Sequence, residues 1–149
     1  MNLWDPTKPS FLAHAGTFNN NTLSMAAGLA VLTEVFTSEI ATDLFNKGEN
    51  FKSSLNSICE RHSINMQVTG LGSILGIHIG TEKIVRPYAY NQHDLNRLKL
   101  IHLEMANKGF LFAQRGYMTL NIAMVEKDTN EFLSAFEEAI ISHKEIFLM

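Results

Sequence analysis

Apolar positions fall into blocks whose spacing changes along the chain, and each change marks an element. Residues 1 to about 20 carry no periodicity; Pro6, Pro9, Gly16 and the run Asn19, Asn20, Asn21 predict an irregular segment that ends in a helix cap. Over residues 23–36 nearly every position is apolar or small, with Ala26, Ala27, Gly28 and Ala30 in the middle. That predicts a helix starting at about Thr22 and buried on most sides. So short a chain can hardly cover such a surface from within, so a partner domain or subunit is expected against it. Thr37 and Ser38 can cap a second helix, in which Ile40, Leu44, Phe51, Leu55 and Ile58 form one stripe down to about His62.

The period then shortens to that of strands. Residues 65–69 and 73–79 read as an antiparallel hairpin joined through Gly70-Leu71-Gly72. After a loop holding Pro87, a third helix is predicted over residues 92–107, with Leu95, Leu98, His102 and Met105 on one face and Gly109 as its stop. Two more short strands are predicted at residues 110–113 and 117–121. Asp128 and Glu131, in capping-box spacing, then open a last helix whose Phe132, Phe136, Ala139 and Ile140 continue to Phe147. Helices interleaved with short strands that pair mostly as neighbours give an α+β layer rather than a doubly wound sheet.

With 149 residues and 46% hydrophobic content, one compact unit is expected. The net charge of -3 and the scattering of basic residues argue against a nucleic-acid partner. Cys59 is the only cysteine, which rules out an internal disulfide or a metal site of several thiolates and suits a reducing compartment. The N-terminal stretch has no basic region followed by an apolar run, and no window reaches the length of a membrane span, so a soluble cytoplasmic protein is expected.

Candidate chemistry begins with residues 14–28, HAGTFNNNTLSMAAG. A glycine, a hydroxyl and several amides just ahead of a helix N-terminus suit an anion; equally, they suit a capped helix start whose asparagines satisfy loop backbone. The block resembles the Gly-Thr-Phe-x-x-Asn and Met-Ala-Ala-Gly signature of class III pyridoxal-phosphate-dependent aminotransferases. Asp5-Pro6 and Pro9 resemble the glutamate-1-semialdehyde 2,1-aminomutase-like branch of that family. The resemblance implies the C-terminal small domain of a fold-type I pyridoxal phosphate transferase. Residues 1–22 would be the cofactor-phosphate loop and domain connection, and residues 23–149 the aminotransferase C-terminal domain, with the large cofactor-binding domain absent. It also implies cofactor binding by Gly16, Thr17 and Phe18, with the Thr17 hydroxyl on the cofactor phosphate of the partner subunit in a homodimer. In the family the lysine that carries the cofactor precedes this block by a few dozen residues; Lys8, Lys47 and Lys52 do not stand in its motif, so no catalytic residue is assigned.

Two further blocks resemble the family. Residues 68–78, VTGLGSILGIH, are similar to its glycine-serine hairpin and read as structural, with His78 a surface or internally satisfied histidine. In residues 109–121, GFLFAQRGYMTLN, Arg115 lies in a loop between two short strands, where it is either a solvated turn arginine or a planar grip for a carboxylate. Related amino-acid aminotransferases place an arginine in a corresponding loop for the substrate carboxylate, which makes Arg115 the substrate-binding candidate. The aminomutases proper carry a glutamate in a Phe-Glu-Ala-Gly segment hereabouts, and its absence favours transamination of another amino acid. His62, His93, His102 and His143 have no ligand-like spacing, and no metal site is expected.

The resemblance thus implies a C-terminal fragment of a transaminase or aminomutase, moving an amino group between an amino acid and an oxo acid or semialdehyde. Such a fragment is expected to be inactive alone for want of the lysine. Its partners would be a second copy or the missing large domain, together with a small amino-acid substrate, and neither nucleic acid nor membrane. The alternative is a non-catalytic, free-standing dimerisation or interaction domain.

Overall fold

The computed structural model describes residues 3, 5, 7–13, 16, 21–86 and 89–148. The chain divides into two compact units, Met1–Ser38 and Glu39–Met149, where composition alone predicts one. Among the described residues, every buried hydrophobic one lies in the second unit, from Phe51 onward, so those of the first add nothing to a core.

In the first unit, the Asp5 carboxylate accepts from the Thr7 amide at 3.0 Å and its hydroxyl at 2.7 Å, and both bonds hold its pKa below the usual value. Helix α1, Thr22–Ala30, starts where its cap predicts: Asn21 Oδ1 accepts from the Leu23 and Ser24 amides at 3.0 and 3.1 Å. The helix widens into a π turn over Val31–Val35, which the Phe36 amide closes on the Val31 carbonyl at 2.7 Å. The expected burial of this helix is not found; Leu23, Leu29 and Leu32 are 80%, 65% and 67% exposed. A helix this rich in apolar side chains calls for a cover, and the described residues supply none.

The second unit places helices on one face of a three-stranded antiparallel sheet, in the order β1-β2-β3. In α2, Ser38–Arg61, the predicted stripe buries Phe51, Leu55 and Ile58, while Ile40 remains exposed. Strands β1, Met66–Leu71, and β2, Ile74–Ile79, pair from Met66 opposite Ile79 to Leu71 opposite Ile74. The turn is therefore Gly72-Ser73 rather than Gly70-Leu71-Gly72. Gly72, at φ +54, turns the chain; Gly70 serves inside the strand, where a Cβ would stand 2.2 Å from the Ile74 carbonyl oxygen.

Helix α3, Gln92–Asn107, has the predicted bounds, with Asn91 Oδ1 accepting from the Asp94 amide at 2.9 Å and Gly109 at φ +91 beyond its end. Its most buried face includes Ile101, which the sequence reading omitted, whereas Leu95 stays exposed. Strand β3 is only Tyr117–Thr119, paired to β2 through Ile74 opposite Thr119 and Gly76 opposite Tyr117.

No strand forms at residues 110–113, because their backbone groups are engaged elsewhere. The Phe110 amide donates to the Met105 carbonyl, the Ala113 amide to the Tyr117 carbonyl, and the Phe112 carbonyl lies 2.8 Å from His102 Nδ1. Helix α4, Glu126–Ser142, begins ahead of Asp128, whose carboxylate accepts from the Val125 amide at 2.8 Å. Asp128 is thus the third helical residue of the cap, not the cap itself. The helix breaks at His143, and α5, Lys144–Phe147, buries Phe147.

Even-numbered β1 positions and their partners Leu75, Ile77 and Ile79 face this core with Leu98, Ile101, Met105, Phe136 and Ile140. The alternate positions, among them Thr69, Ile74, Gly76, His78 and Tyr117, occupy the opposite face of the sheet.

Candidate functional site

Of the three residues expected to bind the cofactor, Gly16 is exposed and in neither helix nor strand, while Thr17 and Phe18 lie outside the described residues. At the entrance of α1 the capped-helix reading holds, since Asn21 Oδ1 already takes the Leu23 and Ser24 amides. A cofactor phosphate could not use those two donors. By residue type, the donors left to it are the Thr17 hydroxyl and the loop amides around the exposed Gly16, a set that suits a phosphate without adding a charge.

Arg115 is carried on a four-residue turn, Ala113 to Gly116, and not between two strands as the sequence suggested. The Gly116 amide closes the turn on the Ala113 carbonyl at 2.8 Å, and the Ala113 amide reaches the Tyr117 carbonyl at 2.9 Å. Gly116 sits at φ +87 against β2: the Ile77 amide donates to its carbonyl at 3.0 Å, and a Cβ would lie 2.4 Å from the Ile77 oxygen. Only glycine lets the turn come so close.

The turn thus fixes where Arg115 starts, and Tyr117 meets its far end, with the guanidinium carbon 5.9 Å from the ring centroid. Arg115 and Gln114 line a cleft of about 370 Å³ with Gln92, Leu95, Asn96 and Lys99 of α3. Its lining holds two cations and three amides but no carboxylate, so nothing in the cleft competes with an incoming anion. A cation–π contact at this distance uses none of the guanidinium N–H donors in a hydrogen bond, so they remain for a bidentate carboxylate.

Tyr117 also borders an apolar groove of about 550 Å³ walled by Phe110, Leu111, Phe112, Met118 and Phe132. The Arg115 guanidinium and an apolar groove thus share one tyrosine. The sequence reading named Arg115 as a candidate and did not name Tyr117. The available signal was an aromatic residue two positions on, at the start of a strand, but the stacking itself requires the fold.

His78 is satisfied internally, as expected of it. Its Nε2 is 2.8 Å from Thr69 Oγ1 and its Nδ1 2.6 Å from the Tyr90 hydroxyl, and burial pushes its pKa down. His62, just past the end of α2, pairs with Glu137 of α4 at 2.5 Å, and His143, just past the end of α4, with Glu104 of α3 at 3.1 Å. Among the described residues no cluster of three or more metal-ligating side chains occurs, and no single helix is long and apolar enough to cross a membrane.

Comparison with known proteins agrees with the fold and the motifs. The sequence model of the family described as aminotransferase class-III matches residues 1–140. The chain belongs to the class III aminotransferases. It is 36% identical over 146 residues to a β-phenylalanine transaminase of Variovorax paradoxus, covering 96% of this chain and 33% of that protein. A glutamate-1-semialdehyde 2,1-aminomutase of Methanopyrus kandleri is 34% identical over 129 residues, 85% of this chain and 30% of the relative. Among solved structures, the β-phenylalanine aminotransferase of Variovorax paradoxus superposes with a TM-score of 0.89 at 32% identity, over 99% of this chain and 34% of that one. The chain spans about a third of the length of the curated relatives it matches. The fold is that of the small domain of a fold-type I pyridoxal phosphate enzyme.

Proposed function

We propose that this chain supplies the C-terminal domain of a pyridoxal-phosphate-dependent transaminase in which Arg115 holds the carboxylate of the amino-acid substrate. The observation that carries the reading is the Arg115 guanidinium, laid on Tyr117 at 5.9 Å beside a cleft without acidic residues. Support comes from the likeness to a β-phenylalanine transaminase and from the lack, in residues 109–116, of the glutamate expected of an aminomutase. An amino acid with an apolar or aromatic side chain suits the site, with its carboxylate on Arg115 and its side chain towards the groove beside Tyr117.

Pyridoxal phosphate, when bound, supplies the electron sink that amino transfer needs. In this reading Gly16, Thr17 and Phe18 hold its phosphate with a hydroxyl and amides, contributed across a homodimer. The lysine that carries the cofactor is assigned to the rest of the protein. Lys47 donates to the Met124 carbonyl at 2.6 Å, and Lys52 to Glu49 at 2.7 Å and the Gly70 carbonyl at 3.1 Å, so both ammonium groups are engaged structurally. Cytoplasmic residence belongs to the same reading.

The test is amino transfer by the whole protein. Supplied with pyridoxal phosphate, an aromatic β-amino acid and 2-oxoglutarate, it should form glutamate and the matching oxo acid. No glutamate from any of a panel of α- and β-amino acids would refute the reading and leave an interaction domain.

A further inference from the structure

We propose that Tyr117 is a positioning residue for Arg115: its ring holds the guanidinium by the face, so that the edge is already presented when a substrate carboxylate arrives. The proposal rests on the Arg115 reading above and deepens it. An arginine on an exposed turn samples many rotamers, and binding must freeze them at an entropic cost. A ring under the guanidinium restricts that freedom beforehand while leaving the edge N–H groups unspent.

The geometry supplies the means. Tyr117 is fixed by the ladder directly opposite Gly76, on the face of the sheet away from the core. Gly76 places no side chain beside it there. The tyrosine is 58% exposed, so its ring adds little to the core, and its position needs another explanation. Arg115 is tied to the same strand by the closed turn, whose Gly116 is clasped to Ile77. Both partners are therefore anchored to β2 at their backbones, which keeps them within reach of each other, and in the structure the guanidinium carbon stands 5.9 Å from the ring centroid.

Tyr117→Ala in the whole enzyme is expected to raise KM for a carboxylate-bearing substrate about threefold, the size of an exposed cation–π contact. The KM of the matching carboxylate-free amine should change less than that of the acid, because the groove beside Tyr117 serves both substrates and the Arg115 edge only the acid. Tyr117→Phe keeps the ring and should restore wild-type behaviour. In NMR spectra of the chain, the Arg115 side-chain protons should be shifted upfield by the ring in wild type and Tyr117→Phe, and not in Tyr117→Ala. Equal KM changes for acid and amine, wild-type KM values in Tyr117→Ala, or no upfield shift in wild type would overturn the positioning role while leaving Arg115 in place. Arg115→Ala with an unchanged KM for the acid would remove the underlying reading, and the positioning role with it.

Discussion

His78 illustrates how one residue carries both structure and a pH response. Its ring stands between the Thr69 and Tyr90 hydroxyls, half-buried, and burial disfavours the imidazolium. Its folded pKa lies below the ordinary 6.5 of the unfolded chain, so on acidification the unfolded state takes up the proton first. The contribution of His78 to stability is therefore present above about pH 6.5 and is lost as the pH falls through the folded pKa. Urea midpoints at pH 7.5 and pH 5 should drop less on acidification in His78→Gln than in wild type. Equal drops would mean that the imidazole is not desolvated. The sequence suggested a satisfied histidine from strand alternation, yet its partners could not be named, since Thr69 is a ladder neighbour and Tyr90 comes from beyond the next loop. Arg115 was legible as a candidate from its place in a loop and from the resemblance to related aminotransferases, and Tyr117 was not, because its contact with the guanidinium depends on side-chain direction.

Where elements meet, α2 comes close to the turn of the β1–β2 hairpin at one point. A Cβ on Gly48 would stand 1.9 Å from the Gly72 carbonyl oxygen, and Glu49 Oε1 accepts from the Gly72 amide at 2.9 Å. Lys52 completes the clamp on Glu49 and the Gly70 carbonyl. Backbone meets backbone here, so no flexible side chain can yield. Gly48→Ala should cost about 2 kcal/mol or more despite the better helix propensity of alanine, read as a lowered urea midpoint. A gain in stability would show that the helix and the turn are farther apart than described. The glycines of the hairpin were visible in the sequence, but Gly48 was not singled out, because a helical glycine shows its role only once its neighbour is known. The strand expected at residues 110–113 failed for a related reason. Alternating Phe-Leu-Phe satisfies the pattern of a strand, but a strand also needs a ladder, and this segment bonds instead to the end of α3, to His102 and to Tyr117.

On the scale of the whole chain, the α+β class, three of the helices and the hairpin followed from periodicity, and the family from three motif blocks that the family match over residues 1–140 supports. Division into two units did not follow, nor did the exposure of α1. Periodicity registers that a surface needs covering and is silent on what covers it. The most direct measurement of the central claim compares kcat/KM of the whole enzyme for an amino acid and for the carboxylate-free amine of the same skeleton, in wild type and in Arg115→Ala. Losing a charge-assisted grip should lower the acid-to-amine ratio by about tenfold or more. A ratio unchanged by the substitution would contradict the assignment of Arg115 to the substrate carboxylate.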